Sequence, residues 1–88
     1  MFEWDEEKNK SNLEKHGVSF EDCIPVFSDE DSLVLEDDRH SEQRWKVIGA
    51  GKFFVVLVVV YTYRNKIRII SARKATKGER KIYEQQRR

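Results

Sequence analysis

The sequence predicts an α+β domain with element order α-α-β-β-β-β-α: a four-stranded antiparallel sheet with helices packed on it. Three observations carry this expectation. A continuous β-branched and aromatic run covers residues 53–63, as in a central strand covered on both faces. Shorter strand-like runs at 32–36, 45–50 and 67–73 flank it. The links between the last three runs are short, which makes successive strands antiparallel neighbours. Helix caps bracket the rest of the chain.

Each element has its own justification. Phe2-Glu3-Trp4 is an apolar-polar-apolar start. Asp5 caps a helix that runs to about His16, with Glu6 and Glu7 in the first turn and Lys15 and His16 in the last. That order complements the helix dipole, and Gly17 sits where a left-handed C-terminal cap belongs. Leu13 is the only aliphatic residue of this helix, so its apolar face is thin. Ser19 opens a second helix within 19–27, with Asp22 as a capping-box variant. Pro25 keeps that helix short or ends it near Ile24. Phe20, Cys23, Ile24 and Phe27 share its apolar side. Gly49-Ala50-Gly51-Lys52 is a hairpin turn signal. Tyr63-Arg64-Asn65-Lys66 is a tight link, and Asn65 tolerates the left-handed conformation such turns need. Thr76 caps the final helix, with Glu79 at the capping-box position and Ile82 and Tyr83 as its large apolar groups.

At 88 residues the chain makes a single domain, residues 1–88. Hydrophobic residues make up 39% and charged residues 38%, so the core is small and open to completion by a partner. One cysteine, Cys23, cannot form an internal disulfide, which favours a reducing cytoplasm. No charged-then-apolar leader opens the chain. The apolar run 53–61 spans 9 residues, too short for a membrane helix of about 20.

Charge is segregated. Residues 1–42 carry 4 Lys/Arg against 14 Asp/Glu, while residues 43–88 carry 13 Lys/Arg against only Glu79 and Glu84. A basic half without acidic relief suits a polyanion, RNA being the commonest. The plainer reading is solvated faces joined by neutralising pairs.

The most specific segment is residues 68–83. A strand delivers Arg68 to one sheet face, and Ile67, Ile69, Ser71 and Arg73 alternate onto the other. The helix places Arg80 and Tyr83 three positions apart on one side. Arg73, Arg80 and Tyr83 then converge at the strand-helix junction. Paired guanidiniums clamp a phosphate and stabilise charge that builds on it. A tyrosine stacks a base or moves a proton, although core packing is its commoner use. The bland readings of the arginines are a pair with an acidic-half carboxylate for Arg73 and a solvated helix position for Arg80. Arg64 joins the catalytic candidates, and Arg44, Lys46, Arg68, Lys74 and Lys77 are candidate RNA contacts. His40, in an acidic loop, is a reserve general acid or base; a lone loop histidine is more often just solvated. His16 reads as a helix-end charge, and Glu79 as a helix cap. One Cys and two His share no metal-ligand spacing, and Asp29-Glu30-Asp31 and Glu36-Asp37-Asp38 lack the glycine-centred spacing of a calcium loop. No phosphate loop or dinucleotide glycine pattern is present.

Several strings resemble one family in motif order. They are Phe2-Glu3-Trp4-Asp5-Glu6-Glu7-Lys8, Asn12, Lys15-His16-Gly17-Val18-Ser19-Phe20-Glu21-Asp22 and Val26-Phe27. His40-Ser41-Glu42-Gln43-Arg44-Trp45 and Ile70-Ser71-Ala72-Arg73-Lys74-Ala75 follow, with Glu79-Arg80 and Tyr83. This is similar to the BrnT-type toxins and covers nearly the whole chain. The resemblance implies a RelE-like fold and a metal-independent endoribonuclease of a bacterial type II toxin–antitoxin module that arrests translation, with no cofactor. It implies a BrnA-like antitoxin with a ribbon-helix-helix part, in a heterotetramer that represses its own operon. It places activation of the ribose 2′-hydroxyl on Arg64, Arg73, Arg80 and Tyr83, with His40 behind them. An acidic or amphipathic antitoxin segment is expected over the basic half. The competing class is a non-catalytic module that binds nucleic acid or protein for operon control. A degenerate toxin of that kind tends to lose Arg73 or Arg80, and both are present.

Overall fold

The computed structural model describes residues 1–37 and 41–87. A five-stranded sheet carries the fold, in the order β1-β5-β4-β3-β2. The four strands β2 (Leu33–Asp37), β3 (Arg44–Ala50), β4 (Val56–Arg64) and β5 (Lys66–Lys74) run antiparallel to one another in chain order, as expected. The fifth corrects the expected count. The start Phe2–Glu3 is β1, and it pairs in parallel with Ile67 and Arg68 of β5. Two residues are too short a string to show a strand by alternation, and the partner is remote in sequence.

Both α-helices have the caps their sequences specify. In α1 (Glu6–His16), Asp5 accepts from the Glu7 and Lys8 backbone N–H groups, and Gly17 closes the end at φ 69°. In α2 (Lys77–Gln86), Thr76 and Glu79 form the full reciprocal capping box. The second helix is different from expectation: Glu21–Ser28 is a 3-10 helix that runs through Pro25. A period of three residues buries Phe20, Cys23 and Val26, so Val26 takes the inward place assigned to Ile24. Burial, with Asp22 and Glu21 nearby, pushes the Cys23 thiol up to about 12, which leaves it an inert core group.

The apolar run 53–63 also starts late as a strand. Lys52–Phe54 is a short 3-10 turn, with Phe53 and Phe54 left-handed at φ 59° and 63° and 81% and 89% exposed. Asn65 takes the expected left-handed turn at φ 63°.

One face of the sheet carries the main core, where Val47, Leu57, Val59, Ile69 and Ala72 pack with Val18, Phe20, Cys23 and Val26. On the other face, Tyr83 of α2 packs on Ile48 and Val58. The first helix buries polar rather than apolar residues. Leu13 is 50% exposed, while Asn9 and Asn12 are 8% and 7% exposed. Asn12 Nδ2 donates to Val18 O at 2.9 Å and Ala72 O at 2.8 Å, and its Oδ1 accepts from Ala72 N at 3.1 Å. This pins α1 along β5 beyond the stretch that β1 covers. Asn9 Oδ1 accepts from Phe20 N at 2.8 Å and fixes the start of the 3-10 helix. Among the described residues, no helix is long and apolar enough to cross a membrane.

Candidate nucleic-acid interface

Five basic residues of β3, β4 and β5 share one sheet face, and a single irregularity puts the last of them there. In β5, Ile69 pairs with Tyr61 and Ser71 with Val60, so Ile70 is an extra residue between adjacent positions of β4. A β-bulge of this kind shifts the alternation by one residue. Residues opposite each other across a ladder share a face. Thr62 therefore faces with Arg68, Val60 with Ser71, and Val58 with Arg73. Lys46 and Ile48 of β3 join the same face opposite Val60 and Val58. Arg44, two residues before Lys46, and Arg64, two after Thr62, follow by period.

This corrects the expected alternation. Arg73 lies with Arg68, not with Ile67 and Ile69. The bulge adds Arg73 to the face of Arg44, Lys46, Arg64 and Arg68, of which α2 covers only the end around Ile48 and Val58. Lys74 pairs with Leu57 and points to the opposite face. Lys77 is exposed in the first turn of α2.

Two concavities open on the basic face. One, of about 320 Å³, is lined by His16, Lys46, Val58, Val60, Ser71, Ala72 and Arg73. The other, of about 140 Å³, is lined by Lys8, Glu42, Arg44, Thr62, Arg64, Arg68 and Ile70. His16 and Ser71 were not singled out as site residues from sequence. A helix-end histidine reads as a dipole partner until α1 is known to lie along β5.

Carboxylates hold most of these arginines. Glu42 Oε1 accepts from Arg44 Nη2 at 3.0 Å, and Glu42 Oε2 stands 3.7 Å from Arg64 Nη2. Glu3 stands 3.8 Å from Arg68. Arg73 is gripped by both oxygens of Glu79, Nη1 to Oε1 at 2.7 Å and Nη2 to Oε2 at 2.9 Å. Glu79 also accepts from Thr76 N at 2.9 Å, so the helix cap doubles as the partner of Arg73. The acidic half does not supply that carboxylate.

The Arg73 bonds, with help from the Thr76 N–H, hold Glu79 down at about 2. Its contribution to stability is present above the ordinary carboxylate range and is lost as pH falls through the folded value. We expect the urea midpoint to drop as the pH is lowered from that range toward about 2. A Glu79→Gln variant should start lower, and its gap to the parent should close over the same window. A gap that stays constant with pH would contradict the pairing.

The other candidates lie as follows. Tyr83 is buried, and its hydroxyl donates to Asp29 Oδ2 at 2.6 Å. Burial first, then Asp29, pushes the phenol up to about 12. Tyr83 therefore anchors α2 to the loop before β2, and its hydroxyl is committed there rather than to a proton or a base. Arg80 is exposed one turn before Tyr83, and its side chain makes no ion pair among the described residues. His40 lies outside the described residues. Among the described residues, no three His, Cys, Asp or Glu side chains cluster as metal ligands.

Comparison with known proteins gives the family. The family profile for the ribonuclease toxin BrnT of type II toxin–antitoxin systems matches residues 4–79. The crystal structure of the Brucella abortus ribonuclease toxin BrnT is similar, with a TM-score of 0.66 and 25% sequence identity, covering 88% of this chain and 99% of that one. No curated protein sequence matches significantly. With a fold shared along almost the full length of that toxin and a family match over most of its own length, the chain belongs to the BrnT family of ribonuclease toxins from type II toxin–antitoxin systems.

Proposed function

We propose that this protein is a metal-independent endoribonuclease that works on the open basic face of its sheet and arrests translation by cutting RNA. The observation that carries this is the bulge at Ile70, which sets Arg73 beside Lys46 and Ser71 in one open concavity. Scission requires three things: a 2′-oxygen freed of its proton to attack the adjacent phosphorus, charge stabilisation on the phosphorane, and a proton for the departing 5′-oxygen. Guanidiniums remain charged throughout and serve the second need. Arg73 and Arg80 take that role, and Arg64 supports it. Lys46, Arg44 and Arg68 position the RNA backbone. His16, on the wall of the same concavity, carries the proton, with His40 in reserve. Tyr83 is a positioning residue that seats α2.

The grip of Glu79 on Arg73 favours the competing reading, a module that binds without cutting. In the catalytic reading, a substrate phosphate displaces Glu79 and takes over the fork. In the cell, we infer, a BrnA-like antitoxin with a ribbon-helix-helix part masks this face, and the two assemble as a heterotetramer that represses their operon.

Incubation of the purified toxin with RNA tests the reading. Cleavage should persist in EDTA, and expression without antitoxin should arrest growth. RNA affinity should fall by about 0.7 log units per contacted phosphate for each tenfold rise in salt. Bound but uncut RNA, with normal growth, would assign the chain to the binding class. Activity abolished by EDTA would overturn the metal-free mechanism.

A further inference from the structure

The strand β2 ends the sheet, with β3 on one side and no strand on the other. Among the described residues, no backbone group of residues 33–36 makes a bond on the outer side. The opposite edge is closed, because β1 pairs with Ile67 and Arg68 and the Asn12 side chain takes both backbone groups of Ala72. Natural sheets blunt an open edge with charged side chains, lysine above all, with proline or with a bulge. The charges of β2, Glu36 and the buried Asp37, are confined to its last two residues. Its first three residues, Leu33-Val34-Leu35, carry no charge, the strand has no lysine or proline, and its register with β3 is unbroken. Val34 and Leu35 are 50% and 45% exposed on opposite faces.

Acidic residues flank this apolar edge. Glu30 and Asp31 precede it, and Glu36 lies near its other end. Their contacts are slight: Asp31 meets Arg87 at 3.9 Å, and Glu36 accepts from the neutral Gln43 amide at 2.8 Å. A second copy is a poor occupant. Antiparallel self-pairing about Val34 and Leu35 would set one acidic flank against the other, and like charges opposed across a ladder destabilise it.

We propose that β2 is the docking edge for an extended segment of the protein's antitoxin, with apolar residues at alternate positions and Lys or Arg at both ends. This rests on the reading of the chain as a toxin held by a protein antitoxin. Main-chain bonds to the open amides and carbonyls supply the attraction. Alternating side chains against Val34 and Leu35 set the register, and the end cations meet Glu30, Asp31 and Glu36. The contact is additional to any cover over the basic face, which begins one strand away at Lys46.

Hydrogen exchange on the toxin, alone and bound to the product of its neighbouring antitoxin gene, tests the edge. Alternate amides among residues 33–36 should slow at least tenfold in the complex. A Val34→Lys/Glu36→Lys variant changes only the face opposite the basic residues, since these positions pair with Val47 and Trp45. It should bind antitoxin at least tenfold more weakly, and its RNA cleavage when free should be unchanged. If the amides exchange equally in both states and the variant binds as the parent does, the docking edge is overturned while the toxin reading stands. A toxin that dimerises alone, and that Val34→Lys dissociates, would give the edge to a second copy and overturn the proposal. A protein that neither cuts RNA nor binds the antitoxin would remove the reading beneath it.

Discussion

Asn12→Ala should destabilise this protein by about 3 kcal/mol or more, at about 1–3 kcal/mol for each of three buried groups left without a partner. The side chain satisfies the Ala72 N–H, the Ala72 carbonyl and the Val18 carbonyl. Alanine replaces none of these bonds, and Asn12 is buried. Native domains hold only about 5–15 kcal/mol in total, and at this size each kcal/mol moves the melting temperature by roughly 4–8 °C. The melt should therefore fall by at least about 12 °C. Leu13→Ala, at the lone aliphatic position of the same helix, should cost under about 1 kcal/mol, because Leu13 is half exposed. Asn12→Asp should also destabilise, since it keeps the acceptor but loses both donations and buries a charge. Thermal melts of the three variants decide it. A melt of Asn12→Ala within a few degrees of the parent would refute the anchor.

Arg73→Ala and Arg80→Ala should each slow RNA cleavage on the order of 10²-fold, by the scale of a lost oxyanion donor. Both variants should stay folded. Arg73 gives up an ion pair at the sheet surface, and Arg80 makes none among the described residues. Arg73→Lys should recover little, because an ammonium cannot offer two parallel bonds to one phosphate. Tyr83→Phe provides the contrast. Its hydroxyl faces Asp29, so the variant should lose stability and keep its rate within a few-fold. Initial rates of cleavage, with melts on the same preparations, read all four variants. Parental rates in both arginine variants would remove them from the chemistry, and a large rate loss in Tyr83→Phe would return the phenol to it.

What could be read from sequence was what is local. Asp5, Gly17, Thr76 with Glu79, and Asn65 act within a few residues of themselves, and each took its expected place. The β2 to β5 strands were legible through alternation and short links. The misreadings share a cause in remote contacts. Pro25 ends an α-helix but sits comfortably in a 3-10 turn that follows a threefold core pattern. Phe53 and Phe54 look like strand residues until the hairpin turns at them. Asn9 and Asn12 look solvated until Phe20, Val18 and Ala72 arrive. The basic residues of the site were visible, but their common face was not. One bulged residue, Ile70, adds Arg73 to it, and a bulge exists only against a partner strand. The bond from the Tyr83 hydroxyl to Asp29 was not legible, because Asp29 stands 54 positions away in the chain.

The pairing of Phe2 with Ile67, 65 positions apart, sets a clock on the molecule's own birth. A chain made from its N-terminus must hold β1 unpaired until β5 has emerged. Loop closure over that span costs about 6 RT or more, it comes late, and long-range pairing slows folding. The same β5 brings Arg68, Ser71 and Arg73 to the basic face. The face is therefore assembled only when translation of the chain is nearly finished. On the proposed function, the nascent chain lacks its RNA-cutting face for most of that time, and an antitoxin already present would meet the toxin at the moment that face forms.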